Sequence, residues 1–298
     1  MSTRAALLGI ALVCGQHSAG GQLATGRAGL AASSREPSVA EFVARARAGT
    51  ERYRDQQAAI DGGFTRVGVD FPAMGEHWVS LQRVMIDSFD AARPSVLTYT
   101  RVGGVPTLVG VAYTALLDPG EPLPAFSTAK PFWHEHNGTV VEESFPAGVQ
   151  PHPPDPGEPH LAILHAWVWA ENPAGVFTTD NWSLPYMRAG LSVPHVAATE
   201  VVGALSLGTG GADYYLLAAR NAGRLSEEEA ASAERLLRAE ALRMAADVAR
   251  IRGRRALDPA DERELVDRWR AMWGTVAAIA PDRAAAIRAL AHAGDHRH

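Results

Sequence analysis

A change of texture near residue 195 constrains the fold of this chain more than any single motif does. Before it, short β-branched and aromatic runs are broken up by glycine, proline and asparagine. After it, Ala, Leu, Arg and Glu recur at helical spacing. Apolar residues with period two bury one face of a strand, and those with period 3.6 bury one stripe of a helix. The chain therefore reads as α+β: an N-terminal helix on a mainly antiparallel β sheet or small barrel, followed by an α-helical C-terminal region. Three segments follow: a signal segment and linker over 1–37, a β-rich core domain over 38–192 and a helical region over 193–298. With 298 residues and 47% hydrophobic side chains, the chain has apolar material for one large domain, or for a core with a smaller helical partner.

The opening residues have the layout of an export signal. Met1-Ser2-Thr3-Arg4 carries one positive charge, Ala5 to Val13 is a short apolar stretch, and Ala19 and Ala24 are candidate cleavage sites. This predicts a periplasmic or extracellular protein. The apolar run is too short to span a membrane stably. Cys14 follows it as a lipidated cysteine would, so lipid anchoring is the alternative, although Val13 is a poor residue before such a cysteine. An ordinary disordered N-terminus is the plainer reading. Cys14 is the only cysteine, which leaves a cleaved chain without disulfides or thiolate chemistry. A net charge of −5 gives no electrostatic footprint for nucleic acid.

Ser38-Val39-Ala40-Glu41 is a capping box, and a helix is expected from there to about Asp61, stopped by Gly62-Gly63. Strands are expected over Thr65 to Asp70, Ser95 to Arg101 and Val105 to Leu116, the last two joined at Gly103-Gly104. Asn137-Gly138 predicts a type I′ hairpin between Phe132–His136 and Thr139–Phe145. The proline-rich stretch 146–159 can only be a loop. Leu161 to Trp169 is the most apolar strand candidate, closed by Asn172-Pro173-Ala174-Gly175. Downstream, Val196 to Ala219 is helical apart from a break at Gly208-Thr209-Gly210-Gly211. That break has neither the lysine nor the preceding strand of a phosphate loop. A second capping box at Ser226 to Glu229 opens a helix to about Arg252. Asp258-Pro259 opens another to about Ile279, and Asp282 caps a last short one.

Neutral imidazole is the commonest protein ligand for zinc, copper and non-haem iron, and His134-x-His136 sits in the aromatic frame Pro131-Phe132-Trp133-His134-Glu135-His136. On a strand the two rings share one face. His165 is expected on one face with Leu161, Ile163, Trp167 and Trp169, an apolar shell that would hold a ligand rigidly. His77 lies in Met74-Gly75-Glu76-His77-Trp78, where the glycine allows a tight turn that aims the imidazole inward. His77, His134, His136 and His165 are the candidate ligands of one transition-metal ion, with Glu142 or Glu143 as a carboxylate partner. His77 and His165 are expected within one side-chain diameter of each other. Trp78, Trp133 and Trp167 are the candidate cofactor-binding residues, though tryptophans equally suit plain core. Each histidine alone reads more simply as a core or surface residue. The grouping is what points to metal.

Two resemblances reach beyond single residues. His134-x-His136 with Glu142, followed by Pro156-Gly157-x-x-His160, resembles in part the cupin metal motif, although Glu142 comes slightly late and no glycine stands in the expected place before His134. A second resemblance covers residues 45–182. Its motifs are Tyr53-x-Asp55, Ala59, Gly63-Phe64, Met74-Gly75-x-His77-Trp78, Arg93-Pro94-x-Val96-Leu97-x-Tyr99, Leu108-Val109-Gly110-Val111-x-Tyr113 and Leu164-His165-Ala166-Trp167-Val168-Trp169-x-x-Asn172-Pro173-x-Gly175-x-Phe177. In these the chain is similar to a family of exported bacterial proteins of uncharacterised function. The resemblance implies export, His77 and His165 as the family's histidines, and a turn at Asn172 and Gly175. The chain departs where the family continues Asn-Pro and soon Cys, having Asn181-Trp182-Ser183-Leu184 instead. It also adds His134-x-His136 and the helical tail.

Three functions fit these residues. The first is an exported protein binding one copper, zinc or iron ion through histidines, as a metal-dependent oxidoreductase or hydrolase. The second is a metal-free module binding a small molecule among tryptophans and histidines. The third is a structural or interaction protein with core histidines. No Gly-x-Ser-x-Gly elbow is present. Glu142 and Glu143 are adjacent, so on a strand they point to opposite faces and cannot act as a facing carboxylate pair. The residues name no reaction and leave open whether the protein is an enzyme.

Overall fold

A computed structural model describes residues 38–86, 89–124, 132–136, 160–252, 254 and 256–292, with the backbone alone at 134–136 and 160. Helix α1 (Val39–Thr50) opens with the expected capping box: Glu41 N donates to the Ser38 hydroxyl, and Ser38 N donates to the Glu41 carboxylate at 2.7 Å. The helix does not run on to Asp61. A 3₁₀ turn (Glu51–Arg54) intervenes, and Asp55 caps a separate helix α2 (Gln56–Asp61) by accepting from Gln57 N. Tertiary contacts explain the break. The Thr50 hydroxyl bonds back to Ala46 O and accepts from Trp169 Nε1 at 3.0 Å, while Gly49 lies so close to Ala92 that a Cβ would meet its carbonyl oxygen at 2.0 Å.

Among the described residues six strands form one antiparallel sheet in the order β1-β2-β3-β4-β6-β5: β1 (Thr65–Phe71), β2 (Gly75–Val79), β3 (Val96–Val102), β4 (Val105–Leu117), β5 (His134–His136) and β6 (His160–Ala166). Among the described residues β1 and β5 are its open edges, so the barrel alternative does not hold. A tight turn over 72–74 leads into Gly75, as expected; strand β2, which follows it, was not expected. Only Gly75 takes a left-handed conformation, with φ +81°, and the chain then extends between β1 and β3. The Asn137-Gly138 hairpin falls outside the described residues. Strand β5 pairs with β6, which lies between it and β4. Strand β6 stops at Ala166, three residues before Trp169.

The two sheet faces have different neighbours. Residues directly opposite in register share a face. Leu97, Tyr99, Val111, Tyr113, Ala162 and Leu164 face the N-terminal helices, where Phe42 packs edge-on to Tyr113 at 5.5 Å and Phe177 at 5.2 Å. The opposite face carries Val79, Val96, Ala112, Leu161 and Ile163, partly under a single helical turn, α3 (Leu81–Val84). At its other end Phe71, Met74, Val109 and Trp167 join the core of the C-terminal helices.

Those helices are α4 (Leu184–Ala189), α5 (Thr199–Gly208), α6 (Ala212–Gly223), α7 (Glu227–Ile251), α8 (Pro259–Ile279) and α9 (Ala284–Ala289). The Ser226 capping box and the Asp258 cap form as expected. Asp282 does not cap α9. It lies in a 3₁₀ turn (Pro281–Arg283), and the α9 N-cap, Arg283, makes no side-chain cap bond. Trp269 and Trp273 are the largest fully buried side chains among the described residues. Gly203 is obligatory beside them, since a Cβ there would meet Trp269 Cζ2 at 2.5 Å. No described helix is long and apolar enough to cross a membrane.

Candidate functional site

His77 on β2 and His165 on β6 have β3 and β4 between them, which at about 4.8 Å per strand puts their backbones about 14 Å apart on a flat sheet. Their ring centroids are nevertheless 5.7 Å apart, with the planes at 86°. The intervening residues make this close approach possible. His77 pairs with Thr98, Thr98 with Gly110, and Ala112 with His165, so small side chains or none stand on this face between the imidazoles. The register also slips between Thr98 and Tyr99, where β4 carries one extra residue, Val109. Trp167 fills the space above Gly110, where a Cβ would meet the indole at 3.0 Å.

The pair is embedded in aromatic rings. Phe71 lies edge-on to His77 at 5.3 Å, Trp167 is roughly parallel to His165 at 6.3 Å, and Tyr214 of α6 meets Phe71 at 5.8 Å. His165 is only 5% exposed and His77 is half-buried. The Thr98 hydroxyl, beside His77 in the register, is fully buried and has no hydrogen-bond partner among the described residues. Buried hydroxyls are normally satisfied, so this one calls for an explanation.

The turn after β6 holds Trp167 in place. Trp167 N donates to Val176 O at 2.8 Å and its Nε1 to Thr178 O at 2.7 Å. Asn172 donates to the Thr178 hydroxyl and to Asp180 O, and Gly175, at φ +119°, closes the turn onto Asn172 O. Asn181, fully buried, caps the next turn at Ser183 and donates its backbone N–H to Ala73 O at 2.7 Å, tying the loop to the β1–β2 connection that precedes His77.

A second polar group lies farther along the same face. Arg188 of α4 donates through Nε to the Thr100 hydroxyl and through Nη2 to Asp70 Oδ1 at 2.6 Å. The guanidinium is 1% exposed and the carboxylate 17%. Burial pushes the Asp70 carboxyl above its usual range; the neighbouring Arg188 charge opposes this but does not overcome it. The pair therefore fixes α4 on the sheet more than it stabilises the fold.

The structure thus brings together His77, His165 and Trp167. Trp78 and Trp133 belong to the opposite face: Trp78 packs on Tyr99 and donates to Glu76, and Trp133 packs on Phe89. Trp169, expected beside His165, also departs to that side, because the strand has ended; it bonds Thr50 and stacks under Arg47 and Arg54. By backbone register His134 pairs with Ile163 and His136 with Leu161, which places His134 two positions from His165 on the neighbouring strand. Glu142 and Glu143 fall outside the described residues. Among the described residues no three His, Cys, Asp or Glu side chains are grouped so as to hold a metal ion. Sequence reasoning missed Phe71, Thr98, Tyr214, Asp70 and Arg188. Thr98 was legible only as part of a β-branched run, and Arg188 lies in a short segment with no periodic signal.

No protein-family model, curated protein sequence or solved structure matches this chain.

Proposed function

We propose that this is an exported protein that binds one transition-metal ion, copper, zinc or iron, with at least three of His77, His134, His136 and His165 as its ligands. The observation that carries the reading is the meeting of His77 and His165 across two intervening strands. With metal–nitrogen bonds of about 2.0–2.1 Å at a tetrahedral angle, two imidazoles sharing an ion have centroids about 5 Å apart. The observed 5.7 Å is close to that separation. Three histidines with an open position suit a hydrolase or an oxidoreductase equally. The perpendicular ring geometry is also that of ordinary aromatic packing, which favours core histidines as the second reading.

Metal content separates the two. The tail histidines must first be removed, by truncation after Gly294 together with His292→Ala, and the protein purified without a histidine tag. One equivalent of a single metal is expected, falling at least tenfold in His165→Gln. Binding to the folded state alone adds RT ln(1 + [L]/Kd), about 2.7 kcal/mol at a hundredfold excess over Kd. His165→Gln should therefore lose most of the thermal stabilisation that metal confers and little in chelator. Equal destabilisation with and without chelator would mean that His165 is a packing residue.

A further inference from the structure

We draw no further inference here: the strongest candidate, the cleft where α5, α6, α8 and the end of α9 meet the turn between β1 and β2, lined by Tyr214, Tyr215, Trp269 and Leu290, has a cavity volume of about 20 Å³, room for little more than a water molecule, and nothing in the structure shows what fills it.

Discussion

The helices after residue 199 and the sheet face beneath them are both buried, but they bury different chemistry. Among the helices the core is almost wholly apolar: Leu205, Leu207, Leu237, Met244, Val276 and the two tryptophans are at most 2% exposed; Trp269 Nε1 donates to Ala291 O at 2.8 Å, while Trp273 Nε1 has no partner among the described residues. On the sheet face His165, Thr98, Thr100 and Arg188 are also nearly inaccessible. Apolar burial contributes about 25 cal/mol per Å², whereas polar burial costs free energy unless every atom finds a partner. The helices therefore act as the scaffold. The sheet face gives up stability to hold polar groups in place, which is where binding chemistry is expected.

Four substitutions test that division, in order of expected effect. Trp269→Ala should remove about 3–5 kcal/mol from the unfolding free energy, measured by urea titration, while leaving metal content per folded molecule unchanged. If metal content fell with it, the helices would be part of the site. Gly110→Ala should cost about 1–3 kcal/mol, because the new Cβ meets the Trp167 indole at 3.0 Å and Ala166 O at 3.2 Å. By displacing Trp167 it should also weaken metal uptake at least tenfold, an effect that plain core packing would not give.

Asp258→Ala should lower stability modestly through loss of the N-cap, with no effect on metal. In the wild type, backbone N–H groups of Asp261 and Ala260 hold the Asp258 carboxyl below its ordinary value of 3.8. A lowered folded-state pKa stabilises above the unfolded value, and that contribution is lost as pH falls through the folded one. The difference between wild type and variant should accordingly shrink below about pH 4 in acid unfolding curves. Asp70→Asn has the opposite sign. Because burial raises the Asp70 pKa, its contribution is greatest in acid and declines as pH rises through the shifted value. The variant should therefore gain on the wild type between about pH 4 and neutrality. A loss instead would show that the Arg188 charge outweighs burial.

Much of the helical region was legible because its signals are local. Ser226 and Glu229 lie within one turn of each other, Asp258 reaches Ala260 and Asp261, and the glycines at 208–211 interrupt a helix where they stand. Strands β3 and β4 were legible for the same reason, since Gly103-Gly104 joins them directly. The failures share an opposite cause. The helix from Ser38 breaks at Thr50 because Trp169 and Ala92, distant in sequence, press on it. Strand β2 was hidden because five residues starting at a glycine carry no periodic pattern.

The histidine pair shows both sides of this. Alternation along β6 was enough to place His165 with Leu161 and Ile163, and the aromatic context of His77 marked it as unusual. What brought the rings to 5.7 Å was the strand order, the extra residue at Val109 and the missing side chain at Gly110. Trp78 and Trp133 fell on the other face by the same register. Arg188 reached Thr100 and Asp70 only through the docking of α4. Caps, turns and periodicity are settled by residues within a few positions of one another, so this sequence determined them alone. Which faces meet depends on register and packing between segments a hundred residues apart, and those only the tertiary structure could decide.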